Sequence, residues 1–247
     1  MILVLIRSTI FFLWFALSST VLSLLYTPLL LLPPRAMRSA ALLWCHATFL
    51  GLRVIAGVRY ELRGAPPSEP VLAAAKHMSM WDTIALYVFL KKPAMVFKRE
   101  LGLIPFYGWF VRKSEMIAID RDGKASALRK MAADAKAVFA QGRCVLIFPE
   151  GTRKKPHAPP DYKPGVAGLY GQIGVPCQPI ALNSGLFWTG PSGFLKKPGT
   201  IVVEFLPLIP PGLKRAEFMS RLQGEIETAT ANLIHEGENQ LRGRNLR

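Results

Sequence analysis

The sequence predicts an α/β domain with a mixed, mostly parallel sheet flanked by helices, preceded by an N-terminal membrane-associated helical segment. Short apolar runs with the length of buried strands alternate along the chain with longer helical patterns, which is typical of α/β folds. The first 34 residues carry one charge, Arg7, and 25 uncharged residues run from Ser8 to Leu32. The predicted division is 1–52 for the membrane anchor and 53–247 for the α/β domain.

The N-terminal segment is long enough to cross a membrane. As a helix, its 25 uncharged residues cover a hydrocarbon core of roughly 30 Å. The run is longer than that of a cleaved signal peptide, and Ala16-Leu17-Ser18 is only a faint cleavage site, so an uncleaved anchor is predicted. A second apolar segment, 40–58, leaves two geometries open: one membrane span, or a helical hairpin embedded in a single leaflet. Arg35, Arg38 and the basic domain after them favour a cytoplasmic α/β domain.

The charge balance indicates an anionic partner. Lysine and arginine number 31 against 16 acidic residues, a net charge of +15. Lipid head groups, nucleic acid or an acidic carrier would each complement this charge. Nucleic acid is disfavoured because the basic residues are scattered and no zinc-finger or RNA-binding signature is found. The 3 cysteines lack CxxC spacing, which argues against a disulfide framework and a structural zinc site, and no metal is predicted.

The elements of the α/β domain follow from the apolar runs and the turn residues between them. The predicted strands are 54–62, 71–75, 94–97, 116–119, 144–148, 178–182 and 200–205. The predicted helices begin after Ser79 and cover 124–142, 165–174 and 213–234.

The stretch from Lys76 to Thr83 carries the first candidate site. His77 and Asp82 are five positions apart, and on one regular helix they would point about 140° away from each other. Ser79 followed by Asp82 has the pattern of a helix N-cap, so His77 is predicted in the preceding loop, folded back towards Asp82. A histidine oriented by a carboxylate can take a proton from a hydroxyl. The alternative is an ordinary loop histidine beside a capping aspartate.

A second motif, Phe148-Pro149-Glu150-Gly151-Thr152-Arg153, follows another predicted strand. Ile119-Asp120-Arg121 lies between the two motifs, and a proline-containing block at 175–182 follows them. In this order the His-x-x-x-x-Asp pattern and the other blocks resemble the glycerolipid acyltransferase family, the 1-acylglycerol-3-phosphate acyltransferases in particular. The resemblance covers roughly 71–182.

The resemblance implies a reaction. A fatty acyl group would pass from an acyl thioester, on acyl carrier protein or coenzyme A, to the 2-hydroxyl of 1-acylglycerol-3-phosphate, giving phosphatidate for phospholipid biosynthesis. His77 would deprotonate the hydroxyl, Asp82 would hold the histidine tautomer, and backbone N–H groups would stabilise the oxyanion. No cofactor is implied beyond the acyl donor. The family works at the cytoplasmic side of the cell inner membrane, which implies membrane lipids as partners.

The resemblance also implies a substrate site. Its predicted residues are Lys98, Arg121, Glu150, Gly151, Thr152 and Arg153. Arg121 and Arg153 would bind the acceptor phosphate, which suits their fork-shaped guanidinium groups. Lys98 would line the same site, and Glu150 would hydrogen-bond acceptor hydroxyls. Gly151 would allow close backbone approach or a positive φ, and Thr152 reads as a turn hydroxyl.

Departures from the family pattern leave the acceptor open. Lys76 stands where many members have asparagine, and Glu115 stands where many have glycine. Another lyso-lipid, such as a lyso-aminolipid, is therefore an alternative acceptor. A non-catalytic relative that binds anionic lipid and a thioesterase are further alternatives. The His77–Asp82 pair argues against the first, and the two motif arginines argue against the second because water needs no phosphate clamp.

Overall fold

A mixed sheet of seven strands lies at the centre of the computed structural model, which describes residues 1–120, 124–189 and 193–245. The strands are β1 (Val58–Arg63), β2 (Leu72–Ala75), β3 (Ala94–Lys98), β4 (Ile117–Ile119), β5 (Val145–Ile147), β6 (Cys177–Leu182) and β7 (Gly199–Phe205). Their order across the sheet is β1-β7-β6-β2-β5-β3-β4. The mixed, mostly parallel sheet predicted from the sequence is confirmed.

The direction of the strands brings several loops to one edge of the sheet. Strands β6, β2, β5, β3 and β4 run parallel to one another. Strand β7 runs antiparallel to β6, and β1 runs parallel to β7. Because the carboxyl ends of the five parallel strands lie at the same edge, the loops that follow them can form one site.

Helices cover both faces of the sheet. The longer helices are α1 (Ile2–Tyr26), α2 (Pro34–Gly51), α3 (Met80–Phe89), α4 (Tyr107–Lys113), α5 (Lys124–Ala140), α6 (Gly165–Ile173) and α7 (Arg215–Asn245). Successive side chains of a strand point to opposite faces. Leu72 and Ala74 of β2 therefore pack in a core shared with α5, α6 and α7, whereas Ala73 and Ala75 pack in a core shared with α1, α2 and α3.

Two element boundaries differ from those predicted by more than two residues. The first strand is predicted from residue 54, but the chain continues as a π-helical turn, Leu52–Ala56, that ends at Gly57 with φ +69°. Strand β1 therefore begins at Val58. Helix α7 is predicted to end at 234 but reaches Asn245, and its last turns are held by Leu241, which packs against the core, and by polar contacts. One of these contacts is the hydrogen bond from the Thr200 backbone N–H to Gln240 Oε1 at 2.8 Å.

The N-terminal helices α1 and α2 form an antiparallel pair. The Trp14 indole N–H donates to the Ala47 carbonyl at 3.2 Å, and the Trp44 indole N–H donates to the Ser19 hydroxyl at 2.9 Å. The helical stretches Ile2–Leu31 and Pro34–Ala56 are long and apolar enough to cross a membrane by length and composition. Many of the large apolar side chains of α1 are exposed, which accords with a membrane-associated segment.

Candidate active site

The loop after β2 holds the histidine–aspartate pair. His77 Nδ1 lies 3.0 Å from Asp82 Oδ2, and the Asp82 side chain is fully buried in the first turn of α3. An ionised carboxylate only accepts hydrogen bonds, so the proton of this contact belongs on Nδ1. His77 Nε2 is then the basic nitrogen. A ring held in this way can take a proton from a hydroxyl that reaches Nε2.

Asp82 is fixed by the cap of its own helix. Its Oδ2 accepts from the backbone N–H groups of Met78 at 2.6 Å and Ser79 at 2.9 Å, while the Ser79 hydroxyl accepts from the Trp81 N–H at 3.2 Å. This reciprocal arrangement is a capping box, and it confirms the helix start predicted at Ser79. Ser184, which follows β6, donates its hydroxyl to Asp82 Oδ1. The carboxylate therefore has donors on both oxygens.

The loop after β5 lies against His77. The Phe148 ring stacks on the imidazole, with the ring centroids 3.9 Å apart and the planes 18° apart. The Lys154 backbone N–H donates to the His77 carbonyl at 2.8 Å. Between these contacts the chain turns at Gly151, whose φ of +64° is the left-handed conformation that favours glycine. The motif residue Arg153 is thus directly next to a residue that touches the His77 loop.

A buried ion cluster joins the same two loops to the C-terminal helix. Lys76 Nζ lies 3.0 Å from Glu150 Oε1 and 2.8 Å from Glu227 Oε1 of α7. The Tyr162 hydroxyl donates to Glu227 Oε1 at 2.9 Å. The side chains of Lys76 and Glu150 are 2% and 1% exposed, so this charge cluster is closed to solvent on that side.

Burial dominates the electrostatics of Glu150. It raises the pKa of the Glu150 carboxyl above its ordinary value, and the hydrogen bond and charge of Lys76 oppose that rise. The second carboxylate oxygen of Glu150 is buried and has no hydrogen-bond partner among the residues that the structure describes. Acceptor binding by Glu150 stays a prediction, and in this structure the carboxylate is engaged by Lys76.

The other predicted substrate residues surround the His77 loop at different distances. Burial raises the pKa of the Tyr107 phenol, and the half-buried Arg153 is close enough to oppose that rise. The Thr152 side chain is exposed. Lys98 is exposed at the end of β3. Strand β5 lies between β3 and β2, so these two strands are two strand spacings apart, a total of roughly 10 Å. Arg121 lies outside the described residues.

Several residues at the site are given no role by the sequence-based predictions. They are Lys76, Phe148, Ser184 and Glu227. Lys76 carries a usable signal, because a lysine directly after a buried strand needs a buried partner. Ser184 and Glu227 have no local signal: they come from loops and helices 102 and 151 residues away from their partners in the chain.

The described residues contain no group of three or more His, Cys, Asp and Glu side chains that could hold a metal ion. The arrangement instead combines an oriented histidine, its buried carboxylate and a neighbouring loop with an arginine. These features define a class of protein, an α/β enzyme that activates a hydroxyl group at the carboxyl edge of its sheet.

Comparison with known proteins identifies the family. The acyltransferase family model matches residues 58–183. The chain is 38% identical over 208 residues to the 1-acyl-sn-glycerol-3-phosphate acyltransferase of Pseudomonas aeruginosa, covering 82% of this chain and 80% of that protein. It is 31% identical over 176 residues to the mouse 1-acyl-sn-glycerol-3-phosphate acyltransferase alpha, covering 69% and 60%. The chain therefore belongs to this family of acyltransferases, as its motifs predict.

A solved structure has the same fold. The crystal structure of the 1-acyl-sn-glycerophosphate (LPA) acyltransferase PlsC from Thermotoga maritima matches with a TM-score of 0.76, covering 92% of this chain and 96% of that one. The sequence identity is 19%, so this likeness concerns the architecture. It extends beyond the α/β domain, because a match over 92% of the chain includes much of the N-terminal helical pair.

Proposed function

We propose that this protein transfers a fatty acyl group from an acyl thioester to the 2-hydroxyl of 1-acylglycerol-3-phosphate and so forms phosphatidate. The observation that carries the proposal is the His77–Asp82 pair, with Nδ1 held at 3.0 Å by a buried carboxylate, in a member of the acyltransferase family. The relatives named 1-acyl-sn-glycerol-3-phosphate acyltransferases support the choice of acceptor.

The pair supplies the proton transfer of this reaction. His77 Nε2 removes the proton of the acceptor hydroxyl as its oxygen attacks the thioester carbonyl, and the buried Asp82 carboxylate stabilises the imidazolium that forms. The tetrahedral intermediate collapses with cleavage of the carbon–sulfur bond, and the leaving thiolate takes up the proton that His77 removed. A positioned general base contributes about 10²–10⁴-fold to such a rate. Neither step calls for a cofactor, so the acyl donor is the second substrate.

Arg153 provides the charge that holds the acceptor phosphate. It lies in the loop that packs on His77, since the next residue, Lys154, donates its N–H to the His77 carbonyl at 2.8 Å. A guanidinium binds phosphate oxygens through two parallel hydrogen bonds. Lys98 at the end of β3 and Arg121 supply further positive charge in the proposal.

The N-terminal helices hold the enzyme at its lipid substrate. Helices α1 and α2 anchor it in the inner membrane, with the α/β domain and its net positive charge on the cytoplasmic side, where anionic head groups attract it. The acyl donor, acyl carrier protein or coenzyme A thioester, approaches from the cytoplasm. Lysophosphatidate reaches the site from the bilayer.

The test is an acceptor panel with purified protein in vesicles and a labelled acyl thioester, on either carrier. We expect labelled phosphatidate from 1-acylglycerol-3-phosphate and at least about tenfold less product from the phosphate-free 1-acylglycerol, because a lost hydrogen bond to a charged group costs about 1.5–3 kcal/mol. Arg153→Ala is expected to remove most of this preference by raising KM for the phosphate-bearing acceptor.

Other outcomes of the panel select among the alternatives. Faster acylation of a lyso-aminolipid identifies a different acceptor for the same chemistry. Release of free fatty acid at the same rate with and without any acceptor identifies a thioesterase. Binding of anionic vesicles with no labelled product at all, from either donor, contradicts the enzymatic proposal and leaves a lipid-binding relative.

A further inference from the structure

Lys76 is a buried lysine with two carboxylate partners, directly next to His77 in the chain. Its ammonium group contacts Glu150 Oε1 at 3.0 Å and both oxygens of Glu227 at 2.8 and 3.1 Å. Its side chain is 2% exposed. A lysine is buried this deeply only when its charge is matched, because an unpaired buried ammonium is very costly.

This cluster connects three parts of the molecule that are distant in sequence. Lys76 belongs to the loop that carries His77, Glu150 begins the turn that leads to Arg153, and Glu227 lies on α7. Tyr162, at the far end of the loop between β5 and α6, is tied to Glu227 by a hydrogen bond of 2.9 Å. Both ends of the loop that contains Arg153 are therefore linked to the residue that precedes the histidine.

We propose that Lys76 and Glu227 are positioning residues that hold the His77 loop against the Arg153 loop, and that α7 is thereby part of the active-site architecture. The inference rests on the proposed function. Lys76 does not touch the reacting atoms in this account. It acts through the backbone of its neighbour, since consecutive residues of an extended chain direct their side chains to opposite sides.

Replacing Lys76 with methionine tests the role of the cluster. In Lys76→Met the side chain keeps its length but loses its charge, and Glu150 and Glu227 become neighbouring carboxylates without a cation between them. Like charges disfavour each other's ionisation, so loss of the lysine removes the interaction that opposes the raised pKa of the Glu150 carboxyl. Such carboxyls share a proton at low pH and repel each other once both are ionised.

The sign of the pH dependence follows. A carboxyl whose pKa is raised in the folded state stabilises that state while it is protonated, and this contribution is lost as the pH rises through the raised pKa. In Lys76→Met the His77 loop and the Arg153 loop are therefore expected to stay in contact at acid pH and to separate as the pH rises. Among the described residues, Lys154 and Tyr162 also interact electrostatically with the cluster, and both lie in the loop between β5 and α6.

The experiment compares four proteins: the unaltered enzyme, Lys76→Met, Lys76→Met with Glu227→Gln, and Lys76→Met with Glu225→Gln. Glu225 is the matched control because it lies on the same helix and pairs with Arg221 at 2.8 Å, not with Lys76. Phosphatidate formation is measured from acid to alkaline pH as kcat and KM, and thermal unfolding is followed over the same range.

We expect the ratio of the Lys76→Met kcat to the unaltered kcat to fall by about tenfold or more from acid to alkaline pH, since a misplacement of about 1 Å near the reacting groups can cost about 10²-fold. KM for lysophosphatidate should change less than kcat. Glu227→Gln should flatten this pH dependence and recover activity at alkaline pH, because it removes one of the two opposed charges. Glu225→Gln should do neither.

A pH-independent ratio, or equal recovery from both glutamine variants, would overturn the inference and make Lys76 an ordinary structural residue. The unaltered enzyme separates this failure from that of the proposed function. If it forms no phosphatidate, the proposed function fails, and the inferred coupling is then judged by whether the melting temperature of Lys76→Met falls with rising pH in a way that Glu227→Gln reverses.

Discussion

The site contains two acid–base clusters of different origin. In the first, His77 and Asp82 are five residues apart, and one loop and the first turn of one helix hold the pair. In the second, Lys76 reaches Glu150 across 74 residues and Glu227 across 151 residues. The first cluster presents a basic nitrogen, and the second is closed to solvent around Lys76 and Glu150. Lys76 and His77 are adjacent in the chain, but Lys76 belongs to the buried ion cluster and His77 to the histidine–aspartate pair.

This difference separates local from global determinants of the site. The His77–Asp82 geometry depends on a capping box, which is a property of a few consecutive residues. The Lys76 cluster depends on the strand order, because β2 and β5 must be neighbours before Lys76 can meet Glu150. Changes in the first cluster should therefore affect chemistry directly, whereas changes in the second should act through the position of the loops.

The largest effect in this comparison is expected for Asp82→Asn. The amide oxygen can still accept from the N–H groups of Met78 and Ser79, but a neutral amide does not stabilise an imidazolium. Acyl transfer should fall by about 10²–10⁴-fold, the range of a general base. The measurement is kcat with vesicle-borne lysophosphatidate. The control is Asp134→Asn, which only breaks a surface pair with Lys130 and should leave kcat unchanged.

The two clusters also differ in how much of each could be predicted from the sequence. The N-cap at Ser79 and the position of His77 before α3 could be predicted, because the capping pattern is local. Ser184 could not be predicted as the donor to Asp82 Oδ1, because that contact exists only once β6 lies beside β2. The pairing of Lys76 with Glu227 could not be predicted either, because it depends on the position of α7 in the fold.

Glu115 gives a second example of information that only the fold supplies. It stands where many family members have glycine, and its φ of +57° is the left-handed conformation that explains a glycine there. Its carboxylate pairs with Arg38 of α2 and lies 3.5 Å from Arg143. Neither partner could be inferred from the residues next to Glu115 in the chain.

A smaller effect is expected for Phe148→Leu. Leucine keeps an apolar side chain but not the flat surface that stacks on His77 with centroids 3.9 Å apart. The imidazole ring is then less firmly oriented. We therefore expect kcat to fall by about tenfold, which is less than the 10²-fold that a 1 Å misplacement can cost. Phe139→Leu makes the same change in α5, on the opposite face of the sheet. A loss of kcat of equal size in Phe139→Leu would contradict a specific role for the stacked ring.

The smallest effect on activity is expected for Ser184→Ala. It removes one donor from Asp82 Oδ1 and leaves the donors of Oδ2 in place. A hydrogen bond to a charged group contributes about 1.5–3 kcal/mol, so the protein should unfold at a lower temperature while kcat falls only a few-fold. Thermal unfolding and kcat are measured on the same preparation. An unchanged melting temperature would show that Asp82 does not depend on this hydroxyl.

The most direct test of the account is phosphatidate formation by His77→Ala beside the unaltered protein, in the same vesicles and with the same labelled acyl thioester. We expect the unaltered protein to form phosphatidate and His77→Ala to lose about 10²-fold or more of this activity while it remains folded. If His77→Ala transfers the acyl group as fast as the unaltered protein, the imidazole is not the base and the mechanism is wrong.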